Sequence, residues 1–242
     1  MHRPRLTATV AVVALATTLG PTASAGPATA SPSVASPVGR PSPSVLTALS
    51  VTAPVAALHR STSAMTRARS VRIQGLNKVP GGFESVDLIV TAKAAEATFG
   101  STGLGTYSVV RLGSTLYLNG DAAFWAAPGR GGSPRLAGTW IRLAAGGPVA
   151  KDLSRRTTLT FWAAELAALP VTRLETGKVI RKRKAVAVTA PAARGTTVYL
   201  AATGRPYPLR ALTPDENYVR DYLDWDKKVT FVRPHATLVV TV

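Results

Sequence analysis

Short runs of alternating apolar and polar residues constrain the fold of this chain more than any other feature. Val71 and Ile73 alternate with polar neighbours, and Val86, Leu88 and Val90 repeat the pattern after a Gly-Gly turn. Successive side chains of a β-strand point to opposite faces, so a period of two predicts half-buried strands that share one apolar face. Further runs joined by short links predict an antiparallel meander. The other predicted strands cover residues 106–112, 115–119, 139–143, 178–183, 185–189, 196–202, 208–212 and 229–232.

Two stretches have helical rather than strand-like spacing. Val55, Leu58 and Met65 fall on one semi-apolar helical stripe, with Pro54 in the predicted first turn. A second helix is predicted over residues 158–169. Strands interrupted by two helices predict an α+β domain in which helices lie over one face of a curved, mostly antiparallel sheet.

The first 25 residues carry the pattern of a secretory signal peptide. A basic start is followed by an uncharged apolar run over residues 6–19, and Ala23-Ser24-Ala25 offers the small residues that a signal peptidase recognises. The run, about 14 residues long, is shorter than the ~20 residues that a permanent transmembrane helix needs. A buried or anchoring helix is the alternative. We expect cleavage after Ala25, no transmembrane span after processing, and a protein secreted into the extracytoplasmic cell envelope.

The chain contains no cysteine. An exported fold without cysteine has no disulfide, and no thiolate is present as metal ligand or nucleophile. The cysteine that carries the lipid of a bacterial lipoprotein is also missing after the leader, so we expect a released product. Residues 26–44 are rich in proline, serine and alanine and predict a disordered tether. Residues 45–242 predict a single domain.

The sequence gives little support for catalysis. His59 and His235 are isolated from other candidate ligands, and no Gly-x-Ser-x-Gly nucleophile motif is present. The acidic segment 215–226 lacks the spacing of a calcium loop, and its interleaved aromatic residues favour a strand or turn with a solvated acidic face. We therefore predict no enzymatic activity, no metal and no cofactor.

The formal net charge of +17 indicates anionic partners. Without the two arginines of the leader, 27 basic and 12 acidic residues remain, a net charge of +15. Cell-wall polymers and anionic lipid head groups fit such a surface. Nucleic acid is disfavoured, because the basic residues are scattered and no binding motif accompanies them. The densest run, Arg181, Lys182, Arg183 and Lys184, is either a charged hairpin tip or a contact for an anionic surface.

Several landmarks occur in a fixed order along the chain. They are Ala-Arg-Ser-Val-Arg at 68–72, Val-Arg-Leu-Gly-Ser-Thr-Leu-Tyr at 110–117, Ala-Gly-Thr-Trp-Ile-Arg-Leu at 137–143, Ala-Thr-Gly-Arg-Pro-Tyr-Pro-Leu-Arg at 202–210, Asp-Trp at 224–225 and Val-Thr-Phe at 229–231. In this order the sequence resembles the actinobacterial envelope proteins related to the mycobacterial LppX/LprG lipoproteins, which share the architecture of the LolA/LolB carriers. The missing lipid-anchor cysteine is a departure from that family.

The resemblance implies a strongly curved sheet, a half-open barrel, with helices over its concave face and a hydrophobic cavity between them. It implies no catalytic residues. The sequence thus predicts a secreted, non-enzymatic and monomeric envelope protein that binds a lipid or other hydrophobic ligand between sheet and helices. A structural or adhesive cell-wall protein acting through its cationic surface is the alternative, and the apolar face could equally be a filled core. The predicted cavity lining is Val55, Leu58, Met65, Val71, Ile73, Val86, Leu88, Val90, Leu116 and Leu118.

Overall fold

The computed structural model of this protein describes residues 43–127, 134–144, 146–236 and 239–241. The predicted signal peptide, residues 1–25, lies outside the described residues, as does the predicted tether up to residue 42. Pro43 and Ser44, which the sequence placed in the tether, belong to the first helix. Within the described residues, no helix has the length and apolar character needed to cross a membrane.

The described residues form helices and strands in an α+β arrangement. The helices are α1 (Pro43–Thr66), α2 (Ala122–Ala126), α3 (Pro148–Arg156) and α4 (Leu159–Ala167), with a single 3-10 turn at Pro134–Leu136. The strands are β1 (Ser70–Val79), β2 (Gly82–Thr91), β3 (Ala94–Ser101), β4 (Gly105–Leu112), β5 (Thr115–Gly120), β6 (Trp140–Arg142), β7 (Arg173–Ile180), β8 (Arg183–Ala190), β9 (Thr196–Ala201), β10 (Pro208–Leu212), β11 (Tyr218–Leu223) and β12 (Val239–Thr241).

All strands belong to one curved sheet that does not close into a barrel. The order across the sheet is β12-β6-β5-β4-β3-β2-β1-β11-β10-β9-β8-β7. Neighbouring strands are antiparallel except for β12, which runs parallel to β6. Two meanders, β1 to β6 and β7 to β11, therefore meet where β1 pairs with β11 and Arg72 lies opposite Leu223. The predicted fold class, a curved and mostly antiparallel sheet with helices, is confirmed.

Helices α1, α2, α3 and α4 bury the apolar face of the sheet. On β1 and β2, Val71, Ile73, Leu88 and Val90 are fully buried, as the alternation predicts. They belong to one core cluster with residues of the helices, among them Trp162 of α4. The helices contribute large side chains to this cluster, and strands of both meanders contribute to it as well. The interior between sheet and helices is therefore one continuous packed core.

The first helix corrects two expectations. Pro54 does not lie in the first turn but inside α1, where it lacks the amide hydrogen that would bond to the carbonyl of residue 50. Its ring is fully buried, and Leu58, Ser61 and Met65 follow it on the same helix face. One position further on is 100° around the helix, so Val55 turns towards solvent and is 51% exposed.

One predicted strand is wrong. Residues 229–232 form no regular element, whereas the acidic and aromatic segment, predicted as a strand or turn, contains β11, which pairs with β1. Strand β3 and helix α3 were not predicted. The predicted strand at 178–183 contains a turn at Arg181 and Lys182 that separates β7 from β8.

Candidate ligand-binding site

The predicted cavity residues come together in the interior between sheet and helices. Eight of the ten belong to the core cluster, and Val86 packs against it. Val55 does not, because it faces solvent. Phe124 and Trp125 of α2 and Trp162 of α4 belong to the same cluster, so aromatic side chains of the helices lie against the predicted lining. The side chains that the sequence selected are thus neighbours in a packed interior.

One hydroxyl group in this interior, that of Ser61 in α1, is 0% exposed and has no hydrogen-bond partner among the described residues. Tyr222 of β11 is 2% exposed, and its hydroxyl interacts with Tyr218 and Arg220. Burial raises the pKa of the Tyr222 hydroxyl well above its ordinary value, so the group is neutral. A buried hydroxyl without a hydrogen bond lowers the free energy of unfolding. The packing of α1 on the sheet is therefore less stable than it would be with an apolar side chain at position 61.

Four chain segments meet at one end of the sheet, which we call the basic end. They are residues 67–69 before β1, the β7–β8 turn, the loop 202–207 and the segment 224–227 after β11. These segments lie close together because the strands pair antiparallel. Strands β7, β9 and β11 end at the same end of the sheet at which β1, β8 and β10 begin. Arginines occur in three of the four segments, and Lys227 occurs in the fourth.

A groove of about 510 Å³ opens at the basic end, and we call it the aromatic groove. Its apolar lining consists of Ile180, Tyr207, Leu209, Tyr222, Leu223 and Trp225. Its charged rim consists of Arg181, Arg183, Arg205, Lys227, Asp224 and Asp226. The rings of Tyr207 and Trp225 stack with centroids 4.1 Å apart and an interplanar angle of 8°. The groove therefore combines a rigid apolar floor with a rim that carries an excess of two positive charges.

The predicted basic run is divided by the structure. Arg181 and Lys182 form the tip of the β7–β8 hairpin with φ angles of 48° and 65°, the left-handed region that a two-residue type I′ turn requires. Arg181 also pairs with Asp221 at 2.7 Å. Arg181 and Arg183 border the aromatic groove, whereas Lys182 and Lys184 are exposed and do not belong to its lining.

Asp226 organises the basic end. Its carboxylate accepts hydrogen bonds from the Tyr207 hydroxyl at 2.7 Å, from Arg205 at 3.0 Å and from the backbone N–H of Arg69 at 2.7 Å. Burial alone would raise the pKa of Asp226, but these hydrogen bonds and the charges of Arg205 and Arg69 outweigh it and lower the pKa. Local sequence patterns do not predict this role, because Arg69 lies 157 positions from the carboxylate in the chain.

The described residues hold no group of three or more histidine, cysteine or carboxylate side chains that could bind a metal ion. His59 borders a pocket beside Arg60 and Arg67 rather than beside carboxylates.

Solved structures with a similar architecture exist at low sequence identity. LprF from Mycobacterium bovis matches with a TM-score of 0.47 and 15% identity, covering 76% of this chain and 97% of that one. Mycobacterium tuberculosis lipoprotein LppX matches with a TM-score of 0.46 and 18% identity over 74% and 98% of the two chains. A Pseudomonas aeruginosa MucA/MucB complex matches with a TM-score of 0.33 and 14% identity over 76% and 59%. No family model and no curated protein matches this chain. These similarities concern chain architecture alone.

Proposed function

We propose that this chain is a non-enzymatic, extracytoplasmic binding protein for an anionic amphiphile, a molecule with an apolar chain and a negatively charged head. The aromatic groove is the observation that carries the proposal. Its floor of aliphatic and aromatic side chains fits the chain of such a ligand, and its cationic rim fits the head. Its volume of about 510 Å³ falls within the range of small-molecule sites.

The two parts of the groove make different contributions to binding. Each methylene group that leaves water for the apolar floor contributes roughly 0.8 kcal/mol. Exposed charge pairs contribute about 0–1 kcal/mol each, because water and salt screen them. The floor therefore supplies most of the affinity, and the rim selects the sign of the head group and accelerates encounter.

The interior between sheet and helices is the proposed continuation of this path for longer chains. Tyr222 lines the aromatic groove and also belongs to the interior core cluster, so its side chain borders both spaces. Trp225 packs against both the interior cluster and a small cluster that contains Ala64 of α1, Ala68 and Tyr207. A long chain would reach the interior by displacing α1, whose buried Ser61 hydroxyl is unpaired.

Adhesion to anionic cell-wall polymer through the cationic surface is the second candidate. The exposed Lys182 and Lys184, beside the groove rather than in it, favour this function. The two candidates differ in one requirement: a carrier needs an apolar chain on its ligand, whereas adhesion depends on charge alone and weakens with salt over a screening length of ~10 Å at 0.1 M.

Displacement of a fluorescent fatty acid by dodecanoate and dodecanol tests the groove. The key variant is Ile180→Gln, because Ile180 is half-buried at the groove. The matched control is Val179→Gln, the adjacent residue, which is 65% exposed and outside the lining. Losing half the burial of an isoleucine, about 1 kcal/mol, weakens dodecanoate binding roughly fivefold in Ile180→Gln. Val179→Gln leaves it unchanged. Equal binding by both variants, or no binding by the wild type, contradicts the proposal.

A chain-length series with Leu88→Trp tests the continuation into the interior. Leu88 is 0% exposed in the packed interior, so a larger ring at this position competes with a long chain for any space that opens when α1 is displaced. We expect Leu88→Trp to bind octanoate with the affinity of the wild type. The wild type should bind octadecanoate more tightly than octanoate, and Leu88→Trp should lose this difference. Identical length dependence in both proteins would confine the ligand to the groove.

A further inference from the structure

We infer that Arg67, Arg69 and Arg205 form a binding site for a phosphate group, which makes the ligand a phosphorylated amphiphile. The amphiphile part of this inference rests on the proposed function. The site is a pocket of about 400 Å³ beside the aromatic groove, where α1 leads into β1. It is lined by these three arginines and Asp226, so it carries an excess of two positive charges.

The carboxylate in the pocket does not compete for a ligand's place. One oxygen of Asp226 accepts the backbone N–H of Arg69, and the other accepts the Tyr207 hydroxyl and one Arg205 nitrogen. Asp226 thereby fixes the backbone beside Arg69 and the position of the Arg205 guanidinium. It acts as the positioning residue of the pocket.

The remaining donors of the three guanidinium groups are free. Within the described part of the chain, the side chains of Arg67 and Arg69 form no hydrogen bond or ion pair, and Arg205 uses one of its nitrogens on Tyr207 and Asp226. Three neighbouring guanidinium groups with one carboxylate repel each other, and an anion between them relieves that repulsion.

The chemistry of arginine favours phosphate over carboxylate. A guanidinium presents a planar fork of N–H donors that matches two oxygens of a phosphate. A phosphate monoester carries about −1.5 to −2 charges and three acceptor oxygens. It can therefore engage several of these arginines at once and neutralise the pocket. A carboxylate has two oxygens and one charge, so it leaves at least one arginine uncompensated.

The position of the pocket links the phosphate to an apolar chain. Arg205 and Asp226 line both this pocket and the aromatic groove. A phosphate held by Arg67 and Arg69 therefore lies next to the stacked rings of Tyr207 and Trp225, where the chain would begin. Free phosphate offers the same chemistry, so the experiment includes both sources.

Titration calorimetry at 150 mM salt with three probes tests the inference: dihexanoyl phosphatidic acid, dihexanoylglycerol and inorganic phosphate. The wild type binds the phosphatidic acid at least about tenfold more tightly than the glycerolipid with the same chains. Arg67→Gln/Arg69→Gln reduces that ratio to below about threefold. The control Arg142→Gln/Arg173→Gln removes two exposed arginines that line neither the pocket nor the aromatic groove, and it keeps the ratio.

The outcomes separate this inference from the proposed function. Equal binding of both lipids overturns the phosphate site and leaves the amphiphile groove standing. Binding of inorganic phosphate alone, lost in Arg67→Gln/Arg69→Gln, supports the phosphate site and contradicts the amphiphile. A phosphatidic acid preference that survives the double substitution overturns the assignment to these arginines. Binding of none of the three probes overturns both.

Discussion

Replacing Ser61 by alanine should stabilise this protein. Ser61 lies on the buried face of α1, with Leu58 and Met65 on either side of it along the helix. Its side chain is 0% exposed, and its hydroxyl has no hydrogen-bond partner among the described residues. Replacing a buried serine usually destabilises a protein, because most buried hydroxyl groups form a hydrogen bond. Here the hydroxyl lost its hydrogen bonds to water on folding and gained none in return.

The expected gain follows from three contributions. Removing a buried, unpaired hydroxyl recovers about 1–3 kcal/mol. Alanine also has the higher helix propensity, by roughly 0.5 kcal/mol. The small space left by one oxygen atom costs up to about 1 kcal/mol. The free energy of unfolding should therefore rise by about 0.5–3.5 kcal/mol, which raises Tm by roughly 1–14 °C in a domain of this size.

Urea unfolding and calorimetry of the Ser61→Ala variant provide the measurement, with Ser63→Ala as control. Ser63 is in the same helix but only half-buried beside a surface pocket, so its substitution reports helix propensity alone. The difference between the two variants isolates the buried hydroxyl. If Ser61→Ala is less stable than the wild type while Ser63→Ala is not, the Ser61 hydroxyl is bonded in solution and the reasoning fails.

Two further predictions concern buried and titrating charges. Arg111 is 6% exposed and donates to the carbonyl of Thr157, the C-cap of α3, at 2.8 and 3.2 Å and to that of Thr91 at 3.3 Å. Arg111→Met leaves these carbonyls unpaired and should cost about 2–4 kcal/mol in urea unfolding, so unchanged stability would contradict the assigned role. Folding lowers the pKa of Asp226, so its ionised carboxylate stabilises the folded protein. This stabilisation is complete above the pKa of an unfolded aspartate and is lost as the pH falls through the pKa of Asp226 in the folded protein. As the pH is lowered below about 4, the free energy of unfolding should therefore decrease less in Asp226→Asn than in the wild type. Parallel curves of unfolding free energy against pH for the two proteins would contradict this prediction.

Sequence patterns predicted the elements whose buried residues are large and branched. Strand β2 is an example, because Leu88 and Val90 contrast sharply with their neighbours. Strand β3 was missed because the residues it buries include Ala95 and Ala97, which give little hydropathy contrast and have low strand propensity. Helix α3 was missed because it is mostly polar and its buried residues are Ala150 and Leu153.

The candidate site could not be derived from local patterns. The sequence suggested the Arg181 run as a cationic surface, but Asp226 bonds the backbone of Arg69, a residue 157 positions away. That contact depends on the pairing of β1 with β11, which no single window of sequence encodes. The prediction for Val55 is wrong for a related reason: a proline favours the first turn of a helix, but the fold buries Pro54 inside α1.

The pairing of β1 with β11 has a consequence for the order in which the molecule assembles. A chain that emerges N-terminus first can pair β1 to β5 early, since consecutive strands of that meander are neighbours. One edge of β1 then has no partner until residues 218–223 have emerged. An unpaired edge is a template for wrong association, so this interval is when the chain most needs protection. The basic end also forms only then, so a partly emerged chain cannot yet capture a ligand there.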